Sequence, residues 1–268
     1  MNASAAAAAT AEPFVRDERA GGVVTLTLNR PAQYNALSRD MLAALQAALD
    51  AVAADASARV VVIAGAGKAF CAGHDLKEMR ANPSREFQQA LFDQCSRMML
   101  TLTRQPQPVI ARVHGIATAA GCQFVSMCDL AVASADARFA VSGVNLGLFC
   151  STPSVGLARN VGRKAAMEML LTGGFIDAEA ARERGLVNRV VPADALDGAI
   201  AELAAAIVAK TPVAIRMGKE LFYRQLDLGL EQAYALAGQV MADNMMTCDA
   251  QEGIDAFIEK RAPQWKER

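Results

Sequence analysis

The chain has 268 residues, 53% of them apolar, which is enough for one large core and too apolar for global disorder. Its formal net charge of −1 offers no general attraction to nucleic acid or to an anionic membrane, so neither is an expected partner. Two histidines, and six cysteines at 71, 95, 122, 128, 150 and 248 with no C-x-x-C pair, give no reason to expect a metal; the cysteines read as reduced and mostly buried, as in a cytoplasmic protein.

Residues 1–12 are Ala-rich, without the charged start of a signal peptide or the arginines of a mitochondrial presequence, and are expected to form a disordered tail. The stretch VVTLTLNR (23–30) alternates β-branched residues and predicts a strand that Pro31 ends. Ser38 is a candidate N-cap for a helix carrying Met41, Leu42, Leu45 and Leu49. The continuous apolar run RVVVIAG (59–65) predicts a strand buried on both faces. A loop, AGKAFCAGHD, follows, then a helix over roughly 85–104. PVIARVHGIA (108–117) predicts another buried strand, and DLAVAS and ARFAV two shorter ones. Strands alternating with helices predict right-handed βαβ crossovers and an α/β core over 13–195. From 196 to 268 the pattern turns helical, with Thr211-Pro212 marking one helix start.

Two familiar chemistries fail on spacing. A phosphate loop through Gly67-Lys68 would need glycine at Val62 and Ser or Thr at Ala69, and a dinucleotide fingerprint would need glycine at Phe70. No G-x-S-x-G is present, and His74 and His114 have no serine partner that the sequence can show. Two loops of small residues, FCAGHDL and HGIATAAGC, each follow a buried strand, and the second opens a helix. Small residues let a ligand approach bare backbone N–H groups, and a helix start adds partial positive charge. Two such N–H groups form an oxyanion hole for a carbonyl that gains charge.

The motifs LNRPAQYNAL, KAFCAGHDLKEM, ARVHGIATAAGCQFVSMCDLAVAS and EMLLTGGFIDAEAARERGLVNRVVP occur in this order. In them the chain resembles the crotonase, or enoyl-CoA hydratase/isomerase, superfamily over about residues 13–262, and is most similar to its enoyl-CoA hydratase domain-containing subgroup. The resemblance implies a ββα spiral core and a C-terminal helical region that builds a homotrimer or a dimer of trimers. It implies an acyl-CoA thioester ligand, with coenzyme A entering as part of the substrate, and no separate cofactor or metal. It implies that the N–H groups of His74 and Ala120 hold the thioester oxygen. By the same resemblance Ala36, Ala72, His74, Asp75, Leu76, Lys77 and Gly121 line the ligand.

Relatives that hydrate use two glutamates, and this sequence places Gln123 and Gly143 at those positions. An amide does not exchange a proton near neutral pH and glycine has no side chain, so ordinary hydration is expected to be weak. Asp75 and Glu78 beside the first loop are expected to make solvated or structural contacts. Three readings stay open: altered enolate chemistry, which needs a titratable group in the pocket; a non-catalytic acyl-CoA binder; and an oligomeric interaction protein whose pocket is blocked by Phe149 or Met79. Glutamates introduced at 123 and 143 together are expected to act as a unit, provided that residue 143 does not have a positive φ.

Overall fold

The computed structural model describes residues 12–266, so the expected tail lies outside the described residues except for Glu12. In chain order the elements are β1 (Val15–Ala20), β2 (Val23–Leu28), α1 (Arg39–Ala53), β3 (Val60–Gly65), β4 (Ala69–Cys71), α2 (Leu76–Ala81), α3 (Arg85–Arg104), β5 (Val109–Val113), β6 (Ile116–Thr118), α4 (Ala120–Met127), β7 (Leu130–Ser134) and β8 (Arg138–Ala140). They continue with α5 (Ser151–Asn160), α6 (Arg163–Thr172), β9 (Ile176–Asp177), α7 (Ala178–Glu183), β10 (Arg189–Val191), α8 (Leu196–Val208), α9 (Pro212–Gln225), α10 (Leu230–Met245) and α11 (Cys248–Glu259). Among the described residues no single helix is long and apolar enough to cross a membrane.

Two sheets form. The larger has the order β1-β2-β3-β5-β7-β10, parallel from β2 onward, and the smaller has the order β4-β6-β8-β9. The run predicted as one strand over 108–117 is divided between them. Gly115 takes φ 60°, and a side chain there would put its first carbon 2.1 Å from Lys68 O, so the chain turns out of one sheet and into the other at a point open only to glycine. β1 was not anticipated, because VRDERA has exposed charges rather than apolar alternation. It pairs with β2 through Gly21 and Gly22, both at positive φ, in the two-residue hairpin that such glycines allow.

β3 is buried on both faces for a clear reason. Val61 and Ile63 join the main core with α1, α3 and α4, while Val60 and Val62 meet Leu196, Ile200 and Ala204 of α8. Ser38 does cap α1, accepting from Met41 N–H, and Thr211 caps α9 with Pro212 at its first position. α9 is anchored by a buried cation. Lys219 Nζ donates to Leu102 O, Gln107 O and Asp129 Oδ2 at 2.9, 3.0 and 2.5 Å. Asp129 also accepts from Val109 N–H and the Tyr223 hydroxyl. Burial lowers the tendency of Lys219 to stay charged and Asp129 opposes this; the same burial beside Asp129 keeps the Tyr223 phenol protonated.

The Lys219 and Asp129 side chains are only 8% and 16% exposed, so removing one leaves the other charge uncompensated. Lys219→Met is expected to lower stability by about 3–5 kcal/mol. The check is the urea midpoint against wild type at equal protein concentration.

Candidate active site

Local bonding shapes the first loop before any ligand is considered. Asn35 is fully buried, and its Nδ2 donates to Ala66 O, Ala69 O and Phe70 O while its Oδ1 accepts from Arg30 N–H. Ala72 N–H donates to Tyr34 O at 3.0 Å, and Leu37 N–H to Gly73 O at 2.7 Å. Half-buried Ala36 therefore lies beside the loop, with Leu37 facing His74 as a parallel bridge partner. Asp75 is committed to capping α2, accepting from Lys77 N–H (2.9 Å) and Glu78 N–H (3.1 Å). Glu78 accepts from Arg39 N–H at 3.0 Å. These are the structural contacts that the sequence predicts. Leu76 and Lys77 face solvent.

The second loop ends at Ala119, whose φ of 50° and ψ of −120° are rare for a side-chain-bearing residue and turn the chain directly into α4. The two loops touch backbone to backbone. A first side-chain carbon at Gly73 would lie 3.1 Å from Ala120 N, and one at Gly121 only 2.1 Å from Cys71 O. Phe70 of β4 meets Phe124 of α4 edge to face, with centroids 5.8 Å apart, and fixes the same contact from the core side. Among the described residues, neither His74 N–H nor Ala120 N–H has a hydrogen-bond acceptor.

Around this pair the side chains are neutral. Gln123 is 5% exposed and its Oε1 is sealed without a partner. A buried unpaired amide costs about 1–3 kcal/mol, which a ligand or water relieves. Thr118 and Ser142 share a hydroxyl–hydroxyl bond of 2.9 Å between the two segments that carry Ala120 and Gly143. Gly143 sits in a short 3-10 turn, Ser142–Leu146, and its N–H donates to Cys150 Sγ at 3.2 Å. Its φ is not positive; the obstacle to a side chain is instead Leu148 O, 2.5 Å from where the first carbon would sit, with Cys150 Sγ at 2.8 Å. The double-glutamate design is corrected accordingly, because residue 143 has no room for a carboxylate. The hydroxyl pair and the Cys150 contact had no signal in the sequence, because they join residues 24 and 7 apart through the second sheet and its turn.

His74 lies edge-on to Phe92 of α3, centroids 5.3 Å apart, and burial pushes its imidazole down to about 4. Neither of its ring nitrogens has a partner among the described residues, and Nε2 is sealed from solvent. His114 instead contacts Gly67 O and Arg112. Neither histidine meets a serine. Two surface cavities, of about 280 and 410 Å³, lie against α9 and contain none of the site residues named from the sequence.

A profile of the enoyl-CoA hydratase/isomerase family matches residues 18–268. The chain belongs to the enoyl-CoA hydratase/isomerase family. It is 44% identical over 244 residues to enoyl-CoA hydratase domain-containing protein 3, mitochondrial, of Rattus norvegicus, covering 91% of this chain and 81% of that relative. An enoyl-CoA hydratase structure from Mycobacterium smegmatis is 62% identical, with TM-score 0.94, covering 95% of this chain and 99% of the other. The human enoyl Coenzyme A hydratase domain-containing protein 3 structure is 43% identical, with TM-score 0.92, covering 94% and 100%. The α/β fold with its C-terminal helices is thus the crotonase-type fold that the motifs imply.

One expectation for this enoyl-CoA hydratase/isomerase family member is corrected. The rat protein and its counterparts from mouse, Xenopus laevis, human and Danio rerio are named as mitochondrial, which points away from the expected cytoplasmic location. Unpaired cysteines report that thiols are reduced, not which compartment holds them.

The packing around Gly143 yields a stability prediction. Gly143→Ala is expected to destabilise by about 1–3 kcal/mol, as overpacking does. Gly198→Ala, in α8 with nothing within 4 Å, is expected to stabilise by about 0.5–1 kcal/mol. Thermal melts of both variants beside wild type check the contrast.

Proposed function

We propose that this family member binds acyl- or enoyl-CoA thioesters and hydrates them poorly. The observation that carries the reading is the unpartnered pair of N–H groups on His74 and Ala120, held together by contacts that only glycine permits at 73 and 121. Such a pair fits a thioester oxygen, whose charge grows when the α-carbon reacts. Coenzyme A enters as part of the substrate, with Ala72, Asp75, Leu76 and Lys77 alongside it. Weak hydration follows from the residues at the two glutamate positions. Gln123 orients a polar group or water without exchanging its proton, and Gly143 offers backbone alone. Each missing acid–base group lowers the rate roughly 10²–10⁴-fold.

Assembly is part of the same proposal. Leu230, Tyr234, Met246, Phe257 and Ile258 on or beside α10 and α11 are each at least 70% exposed in the single chain. Apolar side chains in that number on one helical region call for a protein partner. A homotrimer, or two trimers stacked, is the assembly proposed.

Two measurements test these statements. By calorimetry, butyryl-CoA is expected to bind more tightly than its non-carbonyl thioether analogue, and crotonyl-CoA hydration to stay below ~1 s⁻¹. Equal affinities would remove the role of the N–H pair; faster hydration would remove the weak-hydratase reading. Light scattering is expected to give the mass of three or six 28.3-kDa chains, and a monomer at micromolar concentration would refute the assembly.

A further inference from the structure

We propose that the imidazole of His74 is the proton acceptor at the α-carbon of the bound acyl thioester. The inference rests on the acyl-thioester reading and adds to it the one element that neutral Gln123 and Gly143 do not supply.

Connectivity is the first argument. The free N–H that would hold the thioester oxygen and the imidazole belong to the same residue, so a thioester bound there lies within one side-chain length of the ring. The ring is also uncommitted: among the described residues neither nitrogen has a hydrogen-bond partner. Its close aromatic neighbour, Phe92, orients it without using either nitrogen. A neutral imidazole always keeps one nitrogen with a free lone pair.

Elimination is the second argument. Gln123, Thr118 and Ser142 do not accept a proton near neutral pH. Asp75 Oδ1 holds the N–H groups of Lys77 and Glu78, and Glu78 Oε2 holds that of Arg39, which ties both carboxylates to helix starts. The Cys150 thiol is pushed up by burial and stays protonated. Among His74, Asp75, Glu78 and Cys150, His74 alone has a side chain with no hydrogen-bond partner among the described residues. Burial is the sole cause of the depressed imidazole, with no charged neighbour adding to it, so the ring is neutral throughout the ordinary assay range. An enolate forming beside it strengthens its hold on a proton.

The step balances without a further reactant. The ring takes the α-proton, the C–H electron pair becomes the carbon–carbon double bond of the enolate, and the charge moves to the thioester oxygen between the two N–H groups. Return of a proton from the ring to the α-carbon regenerates the thioester. In D₂O the outcome is deuterium at that carbon.

The test is exchange of the α-protons of butyryl-CoA in D₂O, followed by NMR, with affinity measured separately by calorimetry. His74→Gln and His74→Ala both keep the residue-74 N–H. The wild type is expected to exchange, and both variants to bind butyryl-CoA yet exchange at least ~100-fold more slowly. Added imidazole is expected to restore exchange to His74→Ala, which a packing role would not allow. Exchange at the wild-type rate in both variants, or a wild type that binds without exchanging, overturns the inference. A wild type that binds no CoA thioester overturns the acyl-thioester reading, and this inference with it.

Discussion

Everything at the candidate site depends on one close approach, the crossing of the β4–α2 loop against the first turn of α4. At Gly121 even one added carbon would come within 2.1 Å of Cys71 O, and at Gly73 within 2.9 Å of Ala119 Cβ. Backbone therefore meets backbone, and the N–H groups of His74 and Ala120 are left without partners on neighbouring segments. Ala119 contributes through its unusual dihedrals, which let α4 begin abruptly rather than through a capping side chain. Asn35 ties the β3–β4 connection and β4 to the segment before α1, its two amide hydrogens shared among three carbonyl oxygens.

The electrostatics of the site follow from what the surrounding polar groups are already doing. Asp75 has an obvious charge in the sequence, yet its Oδ1 serves the start of α2. Gln123 and His74 show the reverse. Gln123 is buried and His74 half-buried, each has a polar atom without a partner, and neither carries charge at neutral pH. In a low-dielectric setting such groups are costly unless something enters to meet them.

The C-terminal helices are bound to the core by different means. The Lys219–Asp129 pair, with Tyr223 and Val109 N–H, joins α9 to the starts of β5 and β7. Asp129 sits one residue before β7, in the motif that follows the second loop. The same stretch of chain therefore opens with the N–H of Ala120 and ends with the anchor for the helical region. α10 and α11 follow α9 in the chain and expose large apolar side chains.

Much of this was legible in the sequence because it depends on local or periodic features. The caps at Ser38 and Thr211, the helix at Arg85–Arg104, the doubly buried β3 and the two small-residue loops are each set by residues within a turn or two of one another. Four ordered motifs carried the family, and with it the fold. Contacts between distant segments were not legible. The division of the 108–117 run between two sheets depends on Lys68 O lying against Gly115. The obstacle to a side chain at Gly143 is Leu148 O, which returns through a turn. His74 was legible as a backbone donor. That its ring is neutral, set against Phe92 and unpartnered was decided by tertiary packing, because burial and hydrogen-bond access belong to the surroundings of a side chain and not to its place in the sequence.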